Sequence, residues 1–383
     1  MLSQRLKKLH PYVPGEQPDD REYIKLNANE NAYPPHKSVT ETVCQSASMH
    51  SERLALYPDP DANMLRKSIA DFLNSTGGVL ERAEINPDGE CSPAPQDEIP
   101  FTVTPQMIFC GNGSDEVLSF LFYTFFDSDR PLIMPEHTYS FYPVYCGFYD
   151  IPLKKIPLKK DWSLDMDAMC AAAAENKSAV IFANPNAPTG MALTREQVRE
   201  ALKSFPQDRA FVVDEAYCDF GGESCIPLLK EFKNLVIVRT FSKSLSFAGM
   251  RLGYVVAAPE LIDAMLTVKN SFNHFPVDFI TQRAGIASCG AAGYYARTAR
   301  LIAQERESFS GFLKERGWLV LDSRTNFVFA KKNGAEGKYI YESAKREGIL
   351  IRHFDTPGIE DFVRITIGTP EQMMLLRSAL ENI

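Results

Sequence analysis

The sequence predicts an α/β protein: a mostly parallel, doubly wound sheet in a large domain, with a smaller α+β domain after it. Three apolar runs carry that expectation, because each breaks abruptly into polar residues. "SAVIFANPNAPTG" turns at Asn184 to Gly190, "RAFVVDEAY" ends in Asp214 and Tyr217, and "NLVIVRTFSKSLSFAGMRLGY" runs out into Lys243 and then Arg251. Short β-branched runs separated by helix-length stretches read as parallel strands. Ligands of such sheets gather at the carboxyl ends of the strands. The three polar exits should therefore face one crevice and bring it a carboxylate, a lysine and an arginine.

In chain order, residues 1–50 form a Pro-rich arm expected to pack with the small domain. Asn27 to Glu30 and Pro34-Pro35 favour irregular, extended backbone there. Residues 51–284 alternate strand and helix runs, as a doubly wound domain requires. Within them an insertion near 75–105 is rich in Pro, Gly and acids, and reads as a surface excursion or partly ordered loop without visible chemistry. "MIFCGNGSDEVLSFLFYTFF" is a strand, a tight turn at Gly111-Asn112-Gly113 and an apolar helix, aiming the amides of Ser114 and Asp115 at an anion. Tyr139 follows the strand "PLIMP" and could stack on a flat ring. From Thr281 to Lys314 the pattern is nearly continuous helix, so the boundary near 285 is soft.

Residues 285–383 read as the small domain: strands in "GWLVLDSRTNFVFAKK", a helix through "GKYIYESAKREG", then "GILIRHF" and "DFVRITIGT". Arg352 and Arg364 fall on the last two of these strands. The closing helix is marked by Thr369 as cap, Pro370 in the first position and Gln372 completing a capping box.

The three exits describe one chemistry. A lysine amine can condense with a carbonyl, and a carboxylate keeps a nearby pyridine nitrogen protonated. An arginine offers a fork of donors to a phosphate. Together, Lys243, Asp214 and Arg251 describe a pocket for pyridoxal phosphate. Singly they mean little: "DE" after a strand is usually a solvated loop, most such glycines merely turn the chain, and a tyrosine among many aromatics is usually packing. The joint spacing makes the case.

These segments resemble the histidinol-phosphate aminotransferases, within the fold-type I pyridoxal-phosphate aminotransferases. "HPYVPGE", "KLNANENAYPP", "LYPDP", "GNGSDE", "NPNAPTG", "DEAY", "TFSKSLSFAGMRLGY", "TNFVFAK" and "FVRITIGTPEQ" fall in that family's order across nearly the whole chain. The resemblance implies that Lys243 bonds the cofactor and shuttles a proton at the substrate Cα. It implies that Asp214 pairs with the ring nitrogen, Tyr217 donates to the ring hydroxyl oxygen, and Tyr139 stacks on the ring. Ser114, Asp115, Thr240 or Ser242, and Arg251 would hold the phosphate, joined by Tyr57 across a homodimer interface. Tyr12, Asn29, Arg352 and Arg364 match substrate-binding positions. One departure is Ala187, which stands where the family often has an asparagine touching the ring hydroxyl; that leaves the contact either to Asn186 or to Tyr217 alone. The implied reaction moves an amino group from L-histidinol phosphate to 2-oxoglutarate, giving imidazole-acetol phosphate and glutamate, in histidine biosynthesis. Rivals of the same fold are an aromatic-amino-acid aminotransferase and a threonine-phosphate decarboxylase. A non-catalytic cofactor-binding regulator is a remote third, lacking any basic DNA-binding helix signature.

Composition sets outer bounds. The chain has 383 residues, 45% of them apolar, enough for a substantial core. A net charge of −8 argues against nucleic-acid partners. Eight cysteines show no metal spacing and read as reduced, buried thiols. No GxGxxG follows a strand, which excludes a dinucleotide site. The start "MLSQRLKKLHPYVPGE" lacks a hydrophobic stretch suited to export and no apolar run reaches membrane length, so a cytoplasmic protein with no metal, binding small molecules, is expected.

Overall fold

The computed structural model describes residues 2–3, 6–7, 9–12, 15–92 and 101–381. Seven strands make the main sheet: β1 (Ile108–Gly111), β2 (Leu132–Pro135), β3 (Leu153–Ile156), β4 (Val180–Ala183), β5 (Phe211–Asp214), β6 (Leu235–Thr240) and β7 (Gly253–Ala257). Their spatial order is β1-β7-β6-β5-β4-β2-β3. β7 runs antiparallel to β1 and β6 on either side of it, and the other pairings of the sheet are parallel.

Alternation along these strands explains their continuous apolar reading. Val180, Phe182, Phe211, Val213, Leu235 and Ile237 enter one core, on one face. Ile181, Val212, Val236 and Val238 enter the other. A sheet covered on both faces needs apolar residues at every position, and each fully buried side chain of this kind contributes about 1.5–3 kcal/mol. The same alternation puts Asp214 on the face of Val212. β4, β5 and β6 are in register, Ala183 beside Asp214 and Asp214 beside Val238, so the three polar exits do lie side by side.

The principal helices are α1 (Lys37–Ser48), α2 (Asn63–Thr76), α3 (Gly113–Phe125), α4 (Pro259–Phe272), α5 (Phe279–Cys289), α6 (Ala292–Glu315) and α7 (Pro370–Glu381). Four antiparallel strands form a second sheet: β8 (Trp318–Val320), β9 (Phe327–Lys332), β10 (Arg352–His353) and β11 (Val363–Thr366), in the order β8-β9-β11-β10. Arg352 and Arg364 stand opposite one another in it. The expected capping box closes α7: the Thr369 N–H donates to Gln372 Oε1 at 3.0 Å, and the Gln372 N–H to Thr369 Oγ1 at 3.4 Å.

The irregular backbone expected at Asn27 to Glu30 and Pro34-Pro35 ends at His36: α1 follows, with His36 Nδ1 accepting the Ser38 N–H at 3.3 Å, and packs on α5. The nearly continuous helix expected over 281–314 is two helices. It breaks at Gly290–Ala291, and α6 begins under the Gly89 turn, where Gly293 lies too close to Gly89 O to admit a Cβ. The insertion is not all surface excursion, because Val79, Leu80 and Ala83 are buried. A hairpin pairs Glu84–Ile85 with Cys91–Ser92, and Arg300 of α6 donates to Glu81 O and Ala83 O. Residues 93–100 of the insertion lie outside the described residues. The arm does reach the second sheet's neighbourhood, pairing Ile24–Lys25 in parallel with Ile349–Leu350.

Candidate active site

Asp214, the last residue of β5, is buried with 4% exposure. Its Oδ2 accepts the Tyr142 hydroxyl at 2.8 Å and its Oδ1 the Ala216 N–H at 3.1 Å. Burial pushes its carboxyl up to about 6, against the two hydrogen bonds that favour the ionised form. No cationic side chain pairs with it among the described residues.

Lys243 lies in the loop after β6. Its Nζ donates to Ala28 O at 3.3 Å and sits 5.7 Å from the centroid of the Tyr217 ring. The Tyr217 oxygen accepts the Asn29 amide N–H at 2.9 Å, and its ring meets Phe327 edge-on at 5.2 Å. The arm therefore threads through the site. Asn31 Nδ2 donates to Lys243 O at 2.9 Å and Ser244 O at 3.1 Å, while the Asn29 N–H donates to Thr366 Oγ1 of β11 at 3.0 Å.

Three elements meet at the N-terminus of α3. Gly113 opens α3 with φ +78, and a Cβ there would meet the Arg251 guanidinium at 2.6 Å. On β7, a Cβ at Gly253 would fall 2.5 Å from Ser114 N, so glycine alone lets the strand approach the helix N-terminus. Arg251 pairs with Asp115 at 2.9 Å, but both side chains are 43% exposed. Such a pair is worth only about 0–1 kcal/mol, which leaves the guanidinium available to a stronger anion. Thr240, which ends β6, and Ser242 in the loop after it are buried, Thr240 Oγ1 accepting the Ser242 N–H at 3.1 Å.

Tyr139 donates to Asp115 Oδ1 at 3.2 Å and packs edge-on against Tyr142 at 5.4 Å. It also lines a cleft of about 730 Å³, together with Tyr12, Asn27, His137, Arg352 and Arg364. Arg364 donates to Asn27 O at 3.0 Å, its buried Nε has no partner among the described residues, and burial holds its guanidinium below the usual range. Lys243, Asp214 and Tyr217 are not in this lining. The two regions adjoin at Tyr139 and at Arg364, which lies 5.4 Å from the Phe327 ring that touches Tyr217.

Two expected residues sit differently from the rest. The amide of Asn186 is spent on His137 O at 3.0 Å and Thr189 Oγ1 at 3.1 Å, leaving only a buried Oδ1 without a partner, and it is Ala187 that lines the cleft. Tyr57 is 80% exposed and stacked on Phe275 at 4.5 Å, outside the cleft.

The aminotransferase class I and II family model matches residues 21–380. The chain belongs to this family. Among its relatives are histidinol-phosphate aminotransferases: that of Syntrophus aciditrophicus is 45% identical over 100% of this chain and 98% of its own length. That of Lactococcus lactis is 41% identical over 98% of this chain and 97% of its own. The crystal structure of the Sinorhizobium meliloti histidinol-phosphate aminotransferase, in complex with pyridoxal-5'-phosphate, superposes with a TM-score of 0.83 at 24% identity, covering 100% of this chain and 96% of that one.

Sequence reasoning missed two polar contributors to this aminotransferase's site. Tyr142 is hidden in "YSFYPVY", where nothing separates a hydrogen-bonding tyrosine from a packing one. Asn31 belongs to a run quoted whole, "NANEN", whose third asparagine carried no signal of its own.

Proposed function

We propose that this aminotransferase binds pyridoxal phosphate and transfers the amino group of L-histidinol phosphate to 2-oxoglutarate, giving imidazole-acetol phosphate and glutamate. Asp214 carries the reading: a buried carboxylate held only by a hydroxyl and an amide, raised to about 6 by burial, is suited to a cation. A protonated pyridine nitrogen is such a cation, and the residues present fit the group. When bound, the cofactor supplies the electron sink that lets a bond at the substrate Cα break heterolytically.

The chain's own residues do the rest. Lys243 would hold the cofactor aldehyde in the resting enzyme and, once freed, would take and return the proton at the substrate Cα. Because the Tyr217 oxygen already accepts from Asn29, the Tyr217 proton is free to be donated to the ring oxygen. Asn29 thus acts through Tyr217 more than on substrate. Asn186 keeps only an acceptor to offer, so Tyr217 carries the contact alone. Arg251, the amides of Ser114 and Asp115, Thr240 and Ser242 hold the phosphate, and Tyr139 covers the ring. Arg352 and Arg364, with Tyr12, bind the phosphate of one substrate and a carboxylate of the other.

The exposure of Tyr57 (80%) and Phe272 (82%) supports a homodimer in which Tyr57 serves the partner's site. The same reading divides the chain into the arm to residue 50, a cofactor-binding domain over 51–284 and a small domain over 285–383, and places it in the cytoplasm.

A panel of amino donors tests the substrate. Histidinol phosphate bleaching the yellow bound cofactor faster than phenylalanine, tyrosine or threonine phosphate is the expected result. Preferential turnover of an aromatic amino acid would move the enzyme to the rival branch.

A further inference from the structure

Behind Lys243 lies a buried charge cluster that the proposed reaction does not use. Arg239, at 2% exposure on β6, donates through Nε to Glu215 Oε2 at 2.9 Å and through Nη1 to Asp219 Oδ1 at 3.4 Å. Glu215, 1% exposed, also accepts the Ser224 hydroxyl at 2.9 Å and the Cys225 N–H at 2.5 Å. Asp219 accepts the Leu80 N–H at 3.1 Å and, on Oδ2, the Ser244 hydroxyl at 2.5 Å. Arg239 closes the cluster by donating to Gly78 O.

The connectivity matters more than the charge. Glu215 follows Asp214, Asp219 is two residues past Tyr217, and Ser244 follows Lys243. One arginine stands against two carboxylates, so Asp219 depends on the Leu80 N–H and the Ser244 hydroxyl for the stabilisation the guanidinium does not provide. Ser244 is 1% exposed and can turn to no water. Its hydroxyl is therefore a fixed link between the turn bearing Asp214 and Tyr217 and the loop bearing Lys243. The start of the insertion, Gly78 to Leu80, forms part of the same cluster.

We propose that Asp219 and Ser244 are positioning residues for the aminotransferase reaction: their hydrogen bond sets where the Lys243 amine stands relative to the Asp214 carboxylate. The proposal rests on the reading of Lys243 as the amine that holds the cofactor. Geometric control of a reacting amine acts on the chemical step, since small misplacements are costly there.

The test uses full-length Ser244→Ala and Asp219→Asn, with Lys243→Ala as reference and Thr298→Ala as a buried-hydroxyl deletion in α6. Each is measured for melting temperature, donor KM, kcat, and the rate at which cofactor-free protein captures pyridoxal phosphate, followed by visible absorbance. Ser244→Ala is expected to lower kcat and the capture rate about tenfold while donor KM stays within about twofold. Asp219→Asn should share that signature, and Thr298→Ala should lose only melting temperature. A Ser244→Ala protein with wild-type kcat and capture rate overturns the proposal, as does an equal fall in kcat for Thr298→Ala. Undiminished capture by Lys243→Ala would overturn the underlying reading instead, so the two failures are distinguishable.

Discussion

The Tyr142 hydroxyl donates to Asp214 Oδ2 at 2.8 Å from a fully buried position, with 0% of Tyr142 exposed. This hydrogen bond and the Ala216 amide oppose the burial that raises the carboxyl to about 6. Tyr142 thus helps keep Asp214 ionised near neutrality, the state that can pair with a protonated ring.

Replacing Tyr142 by Phe removes that donor and leaves the aromatic packing. A hydrogen bond to a charged group is worth about 1.5–3 kcal/mol, hence about one to two pKa units. The acid limb of the kcat/KM profile should move upward by that amount, with activity at pH 7 falling about two- to tenfold. An unmoved limb would remove Tyr142 from the account.

Asp214 also makes a signed prediction for stability without cofactor. A raised carboxyl pKa means that the folded state holds the proton more tightly than the unfolded one. Stability therefore rises as pH falls from about 6 toward the ordinary carboxyl value of 3.8, and is lowest, for this group, above that window. Asp214→Asn lacks this titration. The melting temperature of wild type relative to Asp214→Asn should climb between pH 7 and pH 4.5, by an amount equivalent to about 2 kcal/mol. The cofactor's affinity should fall over the same window, as protonation removes the charge its ring nitrogen needs.

Gly113→Ala should weaken cofactor binding without touching Lys243. At φ +78 an alanine is strained, and its Cβ would meet Arg251 Nη2 at 2.6 Å. The guanidinium must leave the mouth of α3, costing about 1–3 kcal/mol, or about ten- to a hundredfold in the cofactor's Kd. Titration of cofactor-free protein with pyridoxal phosphate reads this directly, and an unchanged Kd would place the phosphate elsewhere.

Arg364→Lys is not a conservative change in this cleft. It keeps the charge and loses the fork of donors, including the Nε that has no partner among the described residues. Donor KM should rise about ten- to a hundredfold, with kcat less affected. A wild-type KM would show that Arg364 binds no substrate anion.

The strand-end residues were legible because position alone betrays them: Asp214 and Lys243 stand where in-register apolar runs stop, and such runs end at a crevice. Arg251 and Gly113 were legible for the same reason, one turn further on. What stayed hidden depends on contacts between distant segments. Tyr142 meets Asp214 across 72 residues, and Asn31 meets Lys243 across 212. Helix α1 escaped notice because its face is mostly polar, with only Val39 and Ser46 buried. The break at Gly290 was masked by helix-forming residues on both sides, and only the packing of Gly293 under Gly89 explains where α6 must start.

The central claim is that the amine of Lys243 bonds the cofactor while Asp214 holds its far end. Borohydride reduction of the loaded enzyme, followed by peptide mass spectrometry, tests it most directly. The account predicts one reduced pyridoxal-phosphate adduct, on the peptide containing Lys243, absent from Lys243→Ala. An adduct on another lysine, or a yellow protein that yields none, would contradict it.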